Sequence, residues 1–195
     1  AWKSGAPVLG GEPIPFGKYK GLYHGMVNCF YIGGVDLEKF DKFRKENPAE
    51  WNMPVNGHAT VKQGIQEGYH LREGGIIFFP REGNKMWVMF AAYAVRDGRC
   101  WEIDQLTGAE IELREQMWGV WKLLKDKIPG FEKSFVEKTP AMLHCGDVHR
   151  IVGDYILNIG DMREGKIFDD AVGINNMIPD IYTVLGKLNF DIIPH

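Results

Sequence analysis

The sequence predicts an α+β domain: a mostly antiparallel sheet with several helices packed on it, one of them long and lying near residues 108–128. Three observations predict it. Strand-like and helix-like segments follow one another in irregular order, without the strict alternation of a doubly wound sheet. Two apolar runs, at 76–80 and 86–95, flank the turn residues Glu82-Gly83-Asn84 and read as a hairpin. Leu113, Met117, Val120, Trp121, Leu124 and Ile128 then recur at helical spacing and mark one apolar face.

Taken in order, residues 1–22 are rich in Gly, Pro and Lys and read as an irregular entry segment. Residues 26–32 have strand composition, ended by Gly33-Gly34. Asp36 is a good N-cap, since its carboxylate can accept from open backbone N–H groups. Leu37, Phe40 and Phe43 continue as a helix that Asn47-Pro48 stops. Residues 59–68 read as a short helix containing Gly64. After the hairpin, Asp97-Gly98 turns into a short strand at 100–103. Thr107 and Glu110 have capping-box spacing, so the long helix is expected to start at Thr107. Pro129-Gly130 ends it. Residues 149–159 alternate as a strand, Gly160-Asp161 opens a loop, and 168–172 read as one helical turn. Residues 175–195 show no sustained period, and no repeat or domain boundary is visible.

Composition narrows the function classes. The chain has 195 residues, with 11 Phe, 7 Tyr and 6 Trp, enough for one core rather than a disordered segment. A net charge of −3 argues against bulk electrostatic binding of nucleic acid. No run approaches the ~18 apolar residues that a membrane helix requires. Cys29, Cys100 and Cys145 are odd in number and far apart, which fits a reducing, cytoplasmic setting better than a disulfide framework.

Motifs of general chemistry are sparse. The sequence contains 24 glycines but no G-x-G, so it lacks the turn that brings backbone N–H groups to a dinucleotide pyrophosphate. The segment from Gly160 to Lys166 has P-loop spacing. Ile167 stands where a Mg²⁺-binding hydroxyl belongs, and Asp161 and Glu164 would repel a phosphate, so we read it as coincidence. His144, Cys145 and His149 offer a thiolate–imidazole pair or a metal site, but no third ligand or orienting acid lies at a recognisable spacing. A small buried cysteine with two histidines around a strand start explains them as well. Lys18 and Lys20, and Asp169 and Asp170, read as solvated charges.

Two blocks add a family. The first runs Ile103-Asp-Gln-Leu-Thr-Gly-Ala-Glu-Ile-Glu-Leu-Arg114 and on to Ile128-Pro-Gly-Phe-Glu132. The second is His149-Arg-Ile-Val-Gly-Asp-Tyr-Ile-Leu157, then Asp161, Gly165, Phe168-Asp-Asp-Ala171 and Ile178-Pro-Asp-Ile181. Their order and spacing resemble the substrate-side region of FAD-dependent oxidoreductases related to fumarate reductase-like flavoproteins. The resemblance implies a substrate, or cap, domain that lies against the flavin. FAD would be held by a separate FAD-binding domain of the same parent chain, and none would be bound by residues 1–195 alone. With Ala1 at the first position and no glycine fingerprint, this fragment is expected to be one domain excised from a longer flavoenzyme and inactive by itself.

The resemblance also nominates residues. Arg150 would present a guanidinium to an anionic or oxygen-rich substrate, or pair with Asp147 or Asp154 as a structural ion pair. His149, Asp180 and Tyr182 are the acid/base candidates. The family pattern is incomplete here: Gly146-Asp-Val-His-Arg150 keeps only the last Arg of an R-E-[ST]-R-R run, and Tyr182 replaces a histidine. The expected partner is a small-molecule substrate, with no nucleic acid, membrane or metal. The alternative is a free-standing, non-enzymatic binding module.

Overall fold

A computed structural model of the chain describes residues 8–10, 26–93, 102–145, 149–151, 154–155, 160–161, 164–173, 180–182 and 188–190. The elements run β1 (Val8–Gly10), β2 (Met26–Gly33), α1 (Leu37–Glu46), α2 (Pro48–Trp51), α3 (His58–Gln66), β3 (Ile76–Arg81) and β4 (Lys85–Tyr93). Then follow α4 (Ile103–Lys127), β5 (Phe135–Lys138), β6 (His144–Cys145), β7 (His149–Ile151), β8 (Asp180–Tyr182) and β9 (Leu188–Phe190). The α+β class is as the sequence predicts.

β2 organises the main sheet, whose order is β3-β4-β2-β5. One edge of β2 takes β4 along its length. The other takes β5 near its C-terminal end and β6 near its N-terminal end, all antiparallel. Register turns the period-two pattern into rows: Phe78 pairs with Val88, and Val88 with Phe30. Ile76 likewise pairs with Phe90, and Phe90 with Asn28. These side chains are all buried and form the inner face.

α4 belongs to the same core, with Leu113, Met117, Val120, Leu123 and Leu124 buried along it. Burying each such side chain contributes about 1.5–3 kcal/mol relative to leaving it exposed. Asn28 reaches from β2 into α4, its Nδ2 donating to the Leu113 carbonyl at 3.3 Å. At the other end of the core, Phe40 meets Trp51, Phe78 and Phe131 edge-on, at ring separations of 6.4, 5.1 and 5.0 Å.

Asp36 caps α1 as expected, accepting from the Lys39 N–H at 3.0 Å. The capping box at Thr107 does not form. α4 begins four residues earlier, and the Thr107 hydroxyl donates to the Ile103 carbonyl at 2.7 Å, a bond made inside a helix. Glu110 is drawn away from the helix start: it accepts from Arg114 and from the Leu143 N–H. Ile103 therefore opens the helix rather than closing a strand; Asp97, Gly98 and Cys100 lie outside the described residues.

Other boundaries also differ. Val8–Gly10 in the entry segment is a strand, because Ile151, Arg150 and His149 supply its ladder partners. The strand expected over 149–159 is described only as far as Ile151, and Asp154 and Tyr155 lie in a bend. Gly160 and Asp161 are helical rather than open loop. Residues 168–171 make a turn closed by the Ala171 N–H on the Phe168 carbonyl, without a helix. Within 175–195, β8 and β9 pair antiparallel. For β1 the partner that decides the structure is distant in sequence, whereas the turn at 168–171 is closed locally.

Gly119 marks the tightest approach to α4. It is buried mid-helix, and a Cβ there would overlap the His70 carbonyl. Helix propensity alone predicts that Gly119→Ala stabilises by about 1 kcal/mol. The close approach predicts the reverse, a loss of about 1–3 kcal/mol from overpacking. Urea unfolding of the two proteins decides the sign, and a more stable variant would refute the contact.

Candidate functional site

The first resemblance block builds scaffold. Arg114 Nε donates to Glu110 Oε1 at 2.7 Å, and Arg114 Nη2 donates to the Pro140 carbonyl at 3.0 Å. Glu110 Oε2 accepts from the Leu143 N–H at 3.0 Å. One i,i+4 pair thus fixes residues 140–143 against the helix. Beyond α4, Gly130 has φ +100°, and its carbonyl accepts from the Asp36 N–H at 2.9 Å. Only glycine adopts that backbone readily, and a Cβ would also press on the Asp36 carbonyl at 2.6 Å. Phe131 fills the aromatic core, while Glu132 accepts from the Gly130 N–H and pairs with Lys39. Lys39 holds the Glu132 carboxyl below its ordinary pKa.

The nominated site residues fall in two separate ladders. His149 and Arg150 are consecutive on β7, opposite Gly10 and Leu9 of β1. Asp180 and Tyr182 are two apart on β8, opposite Phe190 and Leu188 of β9. His149 and Arg150 are therefore neighbouring positions on one ladder, and Asp180 and Tyr182 are alternate positions on another. Asp147 lies outside the described residues, as do Lys18 and Lys20.

The second block does converge. Tyr155, Asp161 and Phe168, all quoted in it, meet around Lys166. The Tyr155 hydroxyl donates to Asp161 Oδ1 at 2.6 Å and accepts from Lys166 Nζ at 2.7 Å. Lys166 Nζ stands 3.3 Å from Asp161 Oδ1. It also sits 4.3 Å from the Tyr155 ring centre and 5.0 Å from that of Phe168. The two rings meet edge-on at 5.2 Å. Asp161 is buried, so its charge requires such partners, whereas Tyr155 is half exposed.

A phenol held between a carboxylate and an ammonium can pass a proton to a ligand at its exposed side. The alternation over 149–159 predicts a strand through Tyr155, and Gly160-Asp161 reads from the sequence as the opening of a loop. The available signal was the co-occurrence of Tyr155, Asp161 and Phe168 in one block, but nothing in spacing alone joins positions 155, 161 and 166. The same contacts dispose of the P-loop reading, because Lys166 is engaged by Tyr155 and Asp161.

Other nucleophile candidates are quiet. Burial pushes the Cys29 thiol up to about 11, so it stays protonated at neutral pH. His144, Asp169 and Asp170 are exposed. A small cleft beside α4 is lined by Val61, Leu71, Arg72, Ile76, Phe90 and Gln116, among others.

The family model for FAD dependent oxidoreductases matches residues 8–192. The chain belongs to the FAD dependent oxidoreductase family. Searches of curated proteins and of solved structures returned no match. Among the described residues of this FAD dependent oxidoreductase-family chain, no helix is long and apolar enough to cross a membrane.

The described residues do not form a Rossmann-type cradle for FAD. Every described strand pairing is antiparallel, whereas a dinucleotide cradle needs parallel strands joined by a helix behind a glycine turn.

The cluster makes a prediction about titration. Tyr155, and then Asp161, hold the Lys166 ammonium above its ordinary pKa. A raised folded-state value means that the contribution is complete below the ordinary lysine pKa and is lost as pH rises through the folded one. The Lys166 side-chain resonances, shifted by the two rings, are expected to titrate above the ordinary value and to move down in Asp161→Asn. Titration at or below the ordinary lysine value would refute the network.

Proposed function

We propose that the chain is the substrate-binding region of an FAD dependent oxidoreductase of the fumarate reductase-like kind. It shapes the site at which hydride passes between a small molecule and a flavin held by another domain of the same polypeptide. The family match along residues 8–192, on a chain without any G-x-G, carries this reading. Arg150 is the group we assign to an anionic or oxygen-rich substrate, through charge-assisted hydrogen bonds. His149, Asp180 and Tyr182 are the assigned proton-handling candidates, and Tyr155 joins them on the strength of its contacts with Asp161 and Lys166. The remaining contribution is shape and exclusion of water around the substrate. By itself the chain turns over nothing.

The test compares two proteins. The chain alone, incubated with FAD and desalted, is expected to lose all flavin absorbance. The same chain expressed with its flanking coding sequence is expected to purify with flavin bound. In that flavoprotein, Arg150→Met should weaken a carboxylate-bearing substrate about tenfold or more. Flavin retained by the chain alone would overturn the assignment. A colourless flanked protein would favour the non-enzymatic binding module.

A further inference from the structure

The strap between α3 and β3 is laced along α4 by several contacts. Glu67 pairs with Lys127, and the Tyr69 hydroxyl donates to Asp126 at 2.8 Å. The His70 carbonyl rests against Gly119, and Arg72 Nε lies 3.5 Å from Glu112 Oε1. The backbone that carries His70 is therefore fixed on both sides. Its imidazole reaches α4 where Glu112 and Glu115, three residues apart, project from one face.

His70 Nε2 lies 3.3 Å from Glu112 Oε1 and 3.6 Å from Glu115 Oε2. Those separations match the ligand–ligand edge of about 3.3 Å that follows from tetrahedral bonds of about 2.0–2.1 Å to zinc. The three ligand atoms all lie within 4.8 Å of one another. Beneath them is Gln116, fully buried, whose Nε2 donates to Glu112 Oε1 at 2.8 Å and fixes that carboxylate. The other end of the same amide, Oε1, is buried and has no hydrogen-bond partner among the described residues.

We propose that His70, Glu112 and Glu115 form a binding site for a divalent transition metal of the zinc type, independent of the flavin-linked function proposed above. One imidazole with two carboxylates suits zinc and its neighbours rather than Mg²⁺ or Ca²⁺, which favour all-oxygen sets. His70 and Glu115 are about half exposed, so the ion keeps water in its remaining positions and exchanges with solvent. Protons compete for the imidazole nitrogen, so affinity falls on acidification. The Arg72 guanidinium opposes a cation at Glu112, and removing it tightens the site.

Zinc chloride is titrated into the whole chain by calorimetry at neutral pH, with thermal unfolding as a second readout. The expected result is one saturable site that Mg²⁺ does not displace. Zinc affinity should fall at least tenfold in His70→Ala and in Glu115→Gln, and rise in Arg72→Gln. Glu115 is a surface side chain, so Glu115→Gln keeps the test decisive if His70→Ala loosens the strap. Absence of saturable zinc binding, or equal affinity in wild type and Glu115→Gln, would overturn the site and leave a His70–glutamate ion pair.

Discussion

The described fold depends on one contact, the apolar stripe of α4 laid on the inner face of the β3-β4-β2 sheet. Neither partner is stable without the other. A single sheet face of Phe, Ile, Met and Val must be covered, and a 25-residue helix needs a surface on which to bury its leucines. Everything else is placed relative to that pair. α1 and the Pro129-Gly130-Phe131 turn close one end with interlocked aromatic rings, and the 67–72 strap closes the side of the helix.

This dependence explains why the resemblance block around α4 is so well anchored. Glu110, Arg114, Gly130, Phe131 and Glu132 hold the helix, its exit turn and residues 140–143 in place. Their contacts build the scaffold. The second block differs in kind. Its Tyr155, Asp161 and Phe168 gather a cation and leave a phenol half exposed, an arrangement with little purpose in a hydrophobic core. This is the arrangement behind the proton-handling role proposed for Tyr155.

Buried polar groups mark where packing and specificity compete. Asn28 links β2 to α4 through a hydrogen bond, and among the described residues its Oδ1 has no partner, nor has the Oε1 of Gln116. Each such group costs stability, about 1–3 kcal/mol for an unsatisfied amide. Both lie at the helix–sheet junction, where a misregistered helix would lose the Asn28 bond to Leu113.

The sequence by itself determined the class, the hairpin, the Asp36 cap, the apolar stripe of α4 and the lack of a dinucleotide fingerprint. These follow from periodicity and from groups within four residues of one another. It misplaced the start of α4, because Glu110 is claimed by Arg114 and Leu143 rather than by the nearby helix start. It missed β1, whose ladder partner lies about 140 residues away in β7. Only the tertiary structure joined Tyr155 to Asp161 and Lys166, and His70 to Glu112 and Glu115. Side-chain hydrogen bonds and ion pairs between distant positions leave no period in a sequence; they exist only once burial of the core has brought the chain segments together.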